Sequence, residues 1–174
     1  MKHFLIVVDM QNDFVSGSLG SKEAVGILKN ACKKIESFEG KVFVTYDTHD
    51  NEYMESAEGK KLPVLHCVKG SEGWKLDPQV ARVLEGKDYV CVEKPTFGSV
   101  ELPKLLSEAA DGEDFDVMLI GLCTDICVVS NALLLKAYFP EKRIIVDAAC
   151  CAGVTPESHS AALLTMKMCQ IEVE

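Results

Sequence analysis

Cys127 is the residue whose type and position most clearly offer chemistry. It lies in the segment GLCTDICV at 121–128, where an apolar, strand-like run gives way to a helical pattern. If Thr124 or Asp125 caps that helix, the thiol falls in the first helical turn, where unpaired backbone N–H groups and the helix dipole favour an anion. A thiolate at such a position is a nucleophile suited to covalent catalysis.

A thiol that attacks an amide needs an acid/base partner and donors for the oxyanion that forms. Asp9 ends the first apolar run and is the candidate acid/base, whereas Lys94 ends the third run and offers a positive charge that favours the thiolate. The backbone amides of Cys123 and Cys127 are the candidate oxyanion donors. Each of these residues alone has a plainer explanation, as a cap, a solvated charge or a core thiol. Their coincidence at strand ends predicts a catalytic site.

A second constellation has the residue types of a metal site. In the sequence Asp47-x-His49, two ligand-type side chains lie on the same side of an extended segment, and His66 follows in a long connection. Two imidazoles and a carboxylate suit Zn, Fe or Mn, with positions left for water or a substrate nitrogen. The alternative is a hydrogen-bonded loop pair with a separate loop histidine.

The elements that must position these residues alternate along the chain. Apolar, β-rich runs predict strands, and the stretches between them have helical periodicity. The predicted strands are 3–10, 42–47, 89–94, 115–122, 143–149 and 170–174, and the predicted helices are 21–37, 77–85, 100–110, 124–138 and 156–168. This alternation predicts a parallel α/β sheet. The irregular connection 48–77 is long enough to expect a function for it, while the turn DMQNDFVSG after the first strand lacks the glycine pattern of a dinucleotide site.

Length, charge and cysteine usage exclude several classes of protein. A chain of 174 residues that is 48% hydrophobic is expected to form one domain over 1–174. A net charge of −9 without a Lys/Arg cluster argues against nucleic-acid or anionic-membrane partners, and no apolar run reaches the length of a membrane span. The eight cysteines are interpreted as reduced thiols of a soluble, cytoplasmic protein, with Cys32, Cys91 and Cys169 as small core residues.

Five motifs in order along the chain carry a resemblance to a family. The motifs are DMQNDF at 9–14, DTH at 47–49, HCVKGSEGW at 66–74, EKPTFGS at 93–99 and GLCTDICV at 121–128. They resemble those of the isochorismatase-like cysteine hydrolases, especially the nicotinamidases. The resemblance implies a Rossmann-like three-layer sandwich around a mainly parallel six-stranded sheet. It also implies a catalytic triad of Asp9, Lys94 and Cys127, and a homo-oligomer.

The resemblance further implies a cis peptide bond between Leu122 and Cys123, which turns backbone amides toward the oxyanion. Isochorismatases proper lack the nucleophilic cysteine. The presence of Cys127 therefore favours hydrolysis of an amide C–N bond through a thioester over hydrolysis of a vinyl ether.

Metal and substrate contacts follow from the same resemblance. The family binds a divalent metal at the positions of Asp47, His49 and His66, and Glu58 is a possible fourth ligand; Zn is expected, with Fe or Mn as alternatives. Phe14 matches a ring-packing position. The tryptophan that nicotinamidases commonly place shortly before the second metal histidine is absent from LPVL at 62–65. Trp74 or Phe97 is the expected replacement.

Three functions follow as hypotheses. The first is a metal-assisted cysteine amidohydrolase that converts nicotinamide or a related small amide to the acid and ammonia. The second is a metal-independent cysteine hydrolase of a carbamoyl or ureido substrate. The third is a non-catalytic, thiol-rich binding protein. The exact amide and the metal remain open at this point.

Overall fold

A computed structural model describes residues 1–174 and contains one six-stranded sheet in which every neighbouring pair of strands is parallel. The strands are β1 (Lys2–Val8), β2 (Lys41–Asp47), β3 (Tyr89–Lys94), β4 (Phe115–Leu122), β5 (Ile144–Ala152) and β6 (Glu172–Val173). Their order across the sheet is β3-β2-β1-β4-β5-β6. This is the order of a Rossmann-like fold, as the resemblance to the isochorismatase-like hydrolases implies.

Helices cover both faces of the sheet. They are α1 (Asn12–Val15), α2 (Lys22–Ser37), α3 (Pro78–Leu84), α4 (Leu102–Ala110), α5 (Val129–Tyr138) and α6 (Pro156–Met168). Helices α1 to α3 pack on one face and α4 to α6 on the other, so the molecule has three layers. No helix is both long enough and apolar enough to cross a lipid bilayer.

Strand β1 is nearly continuously apolar because it lies at the centre of the sheet and serves both faces. Leu5 and Val7 belong to the core beneath α2 and α3, whereas Ile6 and Val8 belong to the core beneath α4 to α6. Alternate side chains of a strand point to opposite faces. The unbroken run LIVV is therefore the pattern expected of a strand buried on both sides.

The order of the strands creates a crevice at their carboxyl ends. From β1 the chain moves outward to β2 and β3, then returns to the other side of β1 as β4. Ligands of such sheets bind where the strand order reverses. Asp9 directly follows β1 and Cys123 directly follows β4, so the two predicted halves of the site meet at this point.

Two of the predicted core cysteines are in fact exposed. Cys91 lies on β3, which is an edge strand, and its side of the sheet is not fully covered by a helix; Cys169 ends α6. Cys32 is partly buried. The prediction of core positions was therefore wrong for Cys91, because a β-rich run does not reveal that its strand lies at an edge. It was also wrong for Cys169, which lies just beyond the last residue of α6 and is exposed there.

Candidate active site and metal centre

Asp9 is held in place by the neighbouring strand. Its backbone has a φ of 46°, in the left-handed region, as the chain turns sharply out of β1. The Thr45 hydroxyl donates a 2.6 Å hydrogen bond to Oδ1, and the Asp9 amide donates to the carbonyl and hydroxyl oxygens of Thr45. The carboxylate is fully buried and has no freedom to move away from the end of β1.

Lys94 joins the other members of the predicted triad. Its ammonium lies 2.6 Å from Asp9 Oδ2 and 3.6 Å from the sulfur of Cys127, and it donates to the carbonyl oxygen of Thr96 at 3.0 Å. Although Oδ2 is close to the ammonium, it has no well-aligned hydrogen bond. We therefore describe this contact as an ion pair. The structure brings Asp9, Lys94 and Cys127 together, with side chains that are almost completely buried.

Burial controls the protonation of this cluster. It raises the pKa of the Cys127 thiol well above its ordinary value, and the charge of Asp9 raises it further, while Lys94 opposes the shift. Burial also raises the pKa of the Asp9 carboxyl, against the effect of Lys94. For Lys94, burial alone would lower the pKa, but the negative neighbours outweigh it and the net shift is upward. The raised thiol pKa favours the protonated form of Cys127 in the resting site, beside the Asp9–Lys94 ion pair, over the free thiolate suggested by the helix dipole.

The segment that carries Cys127 begins with the predicted cis peptide bond between Leu122 and Cys123, which is present. Residues Thr124–Val128 form a π-helical turn that leads into α5, and Cys123 is its N-cap residue without a capping side chain. Neither Thr124 nor Asp125 caps the helix, contrary to expectation. The Cys123 N–H makes no hydrogen bond within the protein, and that of Cys127 makes none outside its own turn. These donors are available to an oxyanion.

Three predicted metal ligands also converge. One possible ligand atom from each of Asp47, His49 and His66 lies within 4.8 Å of the others. Oδ2 of Asp47 is 3.0 Å from His49 Nε2 and 3.4 Å from His66 Nε2. Glu58 lies further out, with Oε1 at 4.0 Å and 3.8 Å from the same two nitrogens. The set comprises two imidazoles and two carboxylates, a donor set suited to a divalent transition metal.

Contacts behind the ligands orient them toward a metal. Nδ1 of His66 lies 2.7 Å from the carbonyl oxygen of Val64, so this nitrogen is the N–H donor and Nε2 is free to bind an ion. Gln11 accepts from the backbone N–H of Asp47 and donates to its carbonyl oxygen. Asp13 accepts from the N–H of Cys67, next to His66. The residues present therefore fit a metal ion.

Sequence reasoning missed Gln11, Asp13 and Thr45 as supports of the site. Gln11 and Asp13 belong to the motif DMQNDF, and two polar side chains directly after a buried strand were a signal that they bond to neighbouring loops. Thr45 carried no such signal. It lies inside an apolar strand, and only the pairing of β2 with β1 brings it beside Asp9.

The predicted ring-packing residues lie in different places. A cavity of about 900 Å³ is lined by His49, Glu58, Phe97 and Ile126, among others; Phe97 is 44% exposed. Phe14 is buried edge-on against His66, with 5.5 Å between the ring centroids. Trp74 packs on Tyr46 and donates to the hydroxyl of Thr48, and it does not line the cavity.

Comparisons with known proteins match this chain to one family along nearly its whole length. The family model described as "Isochorismatase domain" matches residues 3–174. An uncharacterised isochorismatase family protein, PncA of Bacillus subtilis, is 31% identical over 94% of this chain and 93% of its own length. The crystal structure of the nicotinamidase/pyrazinamidase PncA from Bacillus subtilis superposes with a TM-score of 0.86 and 27% identity over 99% of both chains. A pyrazinamidase of Pyrococcus horikoshii in complex with zinc has a TM-score of 0.83 and 25% identity, over 100% of this chain and 99% of its own.

Proposed function

Because this chain belongs to the isochorismatase family and is an amide C–N hydrolase, we propose that it converts nicotinamide or a related small amide to the carboxylic acid and ammonia through a thioester on Cys127. The observation that carries this proposal is the position of the Lys94 ammonium, which contacts both the Asp9 carboxylate and the Cys127 sulfur. A nucleophile, a proton acceptor and a fixed cation within one buried cluster are the parts that thiol-based acyl transfer needs.

The first half of the reaction forms the thioester. Asp9 takes the proton of the Cys127 thiol, and the sulfur attacks the carbonyl carbon of the amide. Burial raises the pKa of the Asp9 carboxyl, which makes Asp9 a stronger base for the thiol proton. Lys94 keeps its positive charge throughout and stabilises the sulfur anion as it develops.

The oxyanion of the tetrahedral intermediate accepts hydrogen bonds from the N–H groups of Cys123 and Cys127. Asp9 then returns its proton to the amide nitrogen, the C–N bond breaks and ammonia leaves. In the second half, Asp9 removes a proton from water, which attacks the thioester and releases the carboxylic acid. The thiol of Cys127 is regenerated with its proton.

Asp47, His49 and His66 would hold a divalent metal, for which Zn is our first candidate, and Glu58 could complete the set. When bound, this ion supplies a Lewis-acid site for a ring nitrogen of the substrate. His49 and Glu58 line the cavity, and so do Pro95 and Ile126, the chain neighbours of Lys94 and Cys127. Phe97 and Ile126, on the same cavity, offer apolar surface to an aromatic ring.

Ammonia release across a panel of amides tests this function. We would incubate the purified protein with nicotinamide, pyrazinamide, benzamide and an N-carbamoyl amino acid, and measure the metal content of the same preparation. We expect turnover of the two ring-nitrogen amides and close to one divalent metal per chain. Cys127→Ala is the matched control, since it removes the nucleophile from a small buried position and should abolish turnover without unfolding the chain.

The other outcomes point to the other hypotheses. Turnover of the N-carbamoyl compound by protein without stoichiometric metal would favour the metal-independent carbamoyl hydrolase. Full activity of the Cys127→Ala variant would contradict the thioester route. A protein that releases ammonia from none of the four compounds, and whose Cys127 is no more reactive than its other thiols, would favour the binding protein.

A further inference from the structure

One contact beside the site has no role in the mechanism described above. Oγ1 of Thr124 and Nδ1 of His159 lie 2.8 Å apart and share a hydrogen bond. Thr124 directly follows Cys123, whose free N–H is a proposed oxyanion donor, and is fully buried. His159 lies on α6, which begins far along the chain from this turn. The contact therefore ties the oxyanion turn to a separate helix.

The surrounding backbone is built to allow this contact. Gly153 passes so close to α6 that a Cβ atom there would lie 2.9 Å from both the Cβ and the backbone nitrogen of His159. The hydroxyl of Thr155 accepts from the N–H of Ser158 and fixes the start of α6. Both carboxylate oxygens of Asp125 accept from the N–H of Val154, each at 3.2 Å. The turn is thus joined to α6 through His159 and to the segment before α6 through Val154.

A buried hydroxyl that loses its hydrogen-bond partner costs free energy, and the chain around it shifts to find another partner. His159 is the side-chain partner of the Thr124 hydroxyl. A shift of Thr124 toward another hydrogen-bond partner would move the Cys123–Thr124 peptide unit, and with it the preceding residue Cys123, whose N–H is a proposed oxyanion donor. Because oxyanion donors act only in a narrow range of positions, a small displacement is enough to lower the rate.

We propose that His159 is a positioning residue for the oxyanion hole, acting through its hydrogen bond with Thr124. This inference rests on the proposed role of Cys127 as the acylated nucleophile, but not on the identity of the amide. It predicts that loss of the bond slows the attack of the sulfur on a carbonyl carbon, which forms an oxyanion. It also predicts that attack on a carbon that forms no oxyanion is unaffected.

Two histidine variants separate the hydrogen bond from the bulk of the side chain. In His159→Asn an amide atom takes the place of Nδ1 and can donate or accept, so the bond to Thr124 is retained. In His159→Gln the amide lies near the position of Nε2 instead, and the bond is lost. Ser160→Ala, at the exposed neighbouring position of α6, is the control for an unrelated change in the helix.

Two probes of Cys127 give the readouts. With p-nitrophenyl acetate, Asp9 takes the thiol proton and the sulfur attacks the acetyl carbonyl carbon to give an oxyanion intermediate. The acetyl group then stays on the sulfur, and p-nitrophenolate leaves as a measurable burst. With iodoacetamide, a C–S bond forms as the C–I bond breaks, iodide leaves, Asp9 takes the thiol proton and no oxyanion arises. Mass spectrometry of the peptide that contains Cys127 distinguishes its alkylation from that of the exposed Cys91 and Cys169, and Cys127→Ala gives the background for the burst.

For His159→Gln we expect the burst rate constant to fall about 10- to 100-fold, while alkylation of Cys127 stays within about twofold of the wild type. His159→Asn should recover most of the burst rate, and Ser160→Ala should match the wild type. An unchanged burst in His159→Gln would overturn the proposal. So would a parallel fall in alkylation, or a His159→Asn variant as slow as His159→Gln. If the wild type gives a burst but no ammonia from any amide, the proposed function fails while this test still stands.

Discussion

The carboxyl ends of the parallel strands form one border of the central sheet and their amino ends form the opposite border, here called the carboxyl edge and the amino edge. The two carry similar charged residues in different environments. At the carboxyl edge, the Lys94 ammonium lies 2.6 Å from an oxygen of Asp9 and 3.5 Å from an oxygen of Asp47. All three side chains are buried. At the amino edge, Lys142 pairs with Asp114 at 2.5 Å, but the Asp114 side chain is 68% exposed and that of Lys142 is 30% exposed. The contact distances are alike, so distance alone does not distinguish the two edges.

The unequal burial of the two sets of charges indicates what each set does. Exposed ion pairs contribute little to stability because water screens them and ordering the side chains costs entropy. Buried charges lose their hydration, and they are tolerated only when each has a partner. The carboxyl edge thus accepts a cost in stability that the amino edge avoids. This cost is understandable if the buried groups perform chemistry.

The largest expected effect comes from removing the central cation. Lys94→Met leaves Asp9 buried without its partner, and we expect the free energy of unfolding to fall by about 3 to 5 kcal/mol, as measured by urea titration. Adding Asp9→Asn to this variant should restore part of the loss, because a neutral amide needs no cation. Only part of the lost free energy of unfolding is recovered, because the buried Asp47 carboxylate has also lost its contact with the lysine ammonium. If the two substitutions instead had simply additive costs, the buried pair would not be coupled.

A smaller effect on the free energy of unfolding is expected at alkaline pH from the buried thiol of Cys151. Burial raises the pKa of Cys151 above its ordinary value of 9.0. The folded state keeps this thiol protonated while the unfolded chain ionises. Its contribution to stability is therefore complete below about pH 9 and is lost as the pH rises further, by about 1.4 kcal/mol per pH unit.

Urea titrations from about pH 8 to about pH 10.5 test this expectation. The free energy of unfolding of Cys151→Ala should decline less steeply with pH than that of the wild type, whatever the difference between the two at pH 8. The exposed Cys169→Ala serves as the control. Identical slopes for Cys151→Ala and the wild type would contradict the assignment.

The smallest effect is expected at the amino edge. Lys142→Ala removes the partner of Asp114, which remains hydrated, so we expect the urea midpoint to stay within experimental error of the wild type. This variant is the counterpart of Lys94→Met, because each loses a lysine that contacts an aspartate at the end of the sheet. A loss at Lys142 comparable to that at Lys94 would remove the contrast between the two edges.

Much of the fold could be predicted because the sequence pattern is set by burial. The runs 89–94 and 115–122 match β3 and β4 to the residue, since both are bounded by polar or turn residues. The short helix α1 and the 3₁₀ turn Tyr53–Glu55 were not predicted, and the first residues of the predicted helix 124–138 form the π-helical turn Thr124–Val128 instead of an α-helix. These depend on loop contacts, such as the hydrogen bonds that join α1 to the 66–75 segment, and they leave no periodic signal.

The site was predictable to the extent that its residues lie at strand ends. Asp9, Asp47 and Lys94 come together because parallel strands bring their carboxyl ends to one edge. The contacts that hold them, from Thr45 and Gln11, join positions 36 residues apart and follow from register alone. The position of Trp74 was equally hidden, because a tryptophan in a loop can pack on any nearby aromatic residue.

The edge position of β3 has a consequence for how the molecule fails. This strand is hydrogen-bonded only to β2 and presents one partly uncovered face, so it opens at a lower free energy than the central strands. Lys94 is its last residue. A brief detachment of β3 would carry the ammonium away from Asp9 and Cys127 while β1, β4 and the helices stay folded. The site is therefore less stable than the rest of the fold, and on heating we expect activity to be lost at a lower temperature than that of global unfolding.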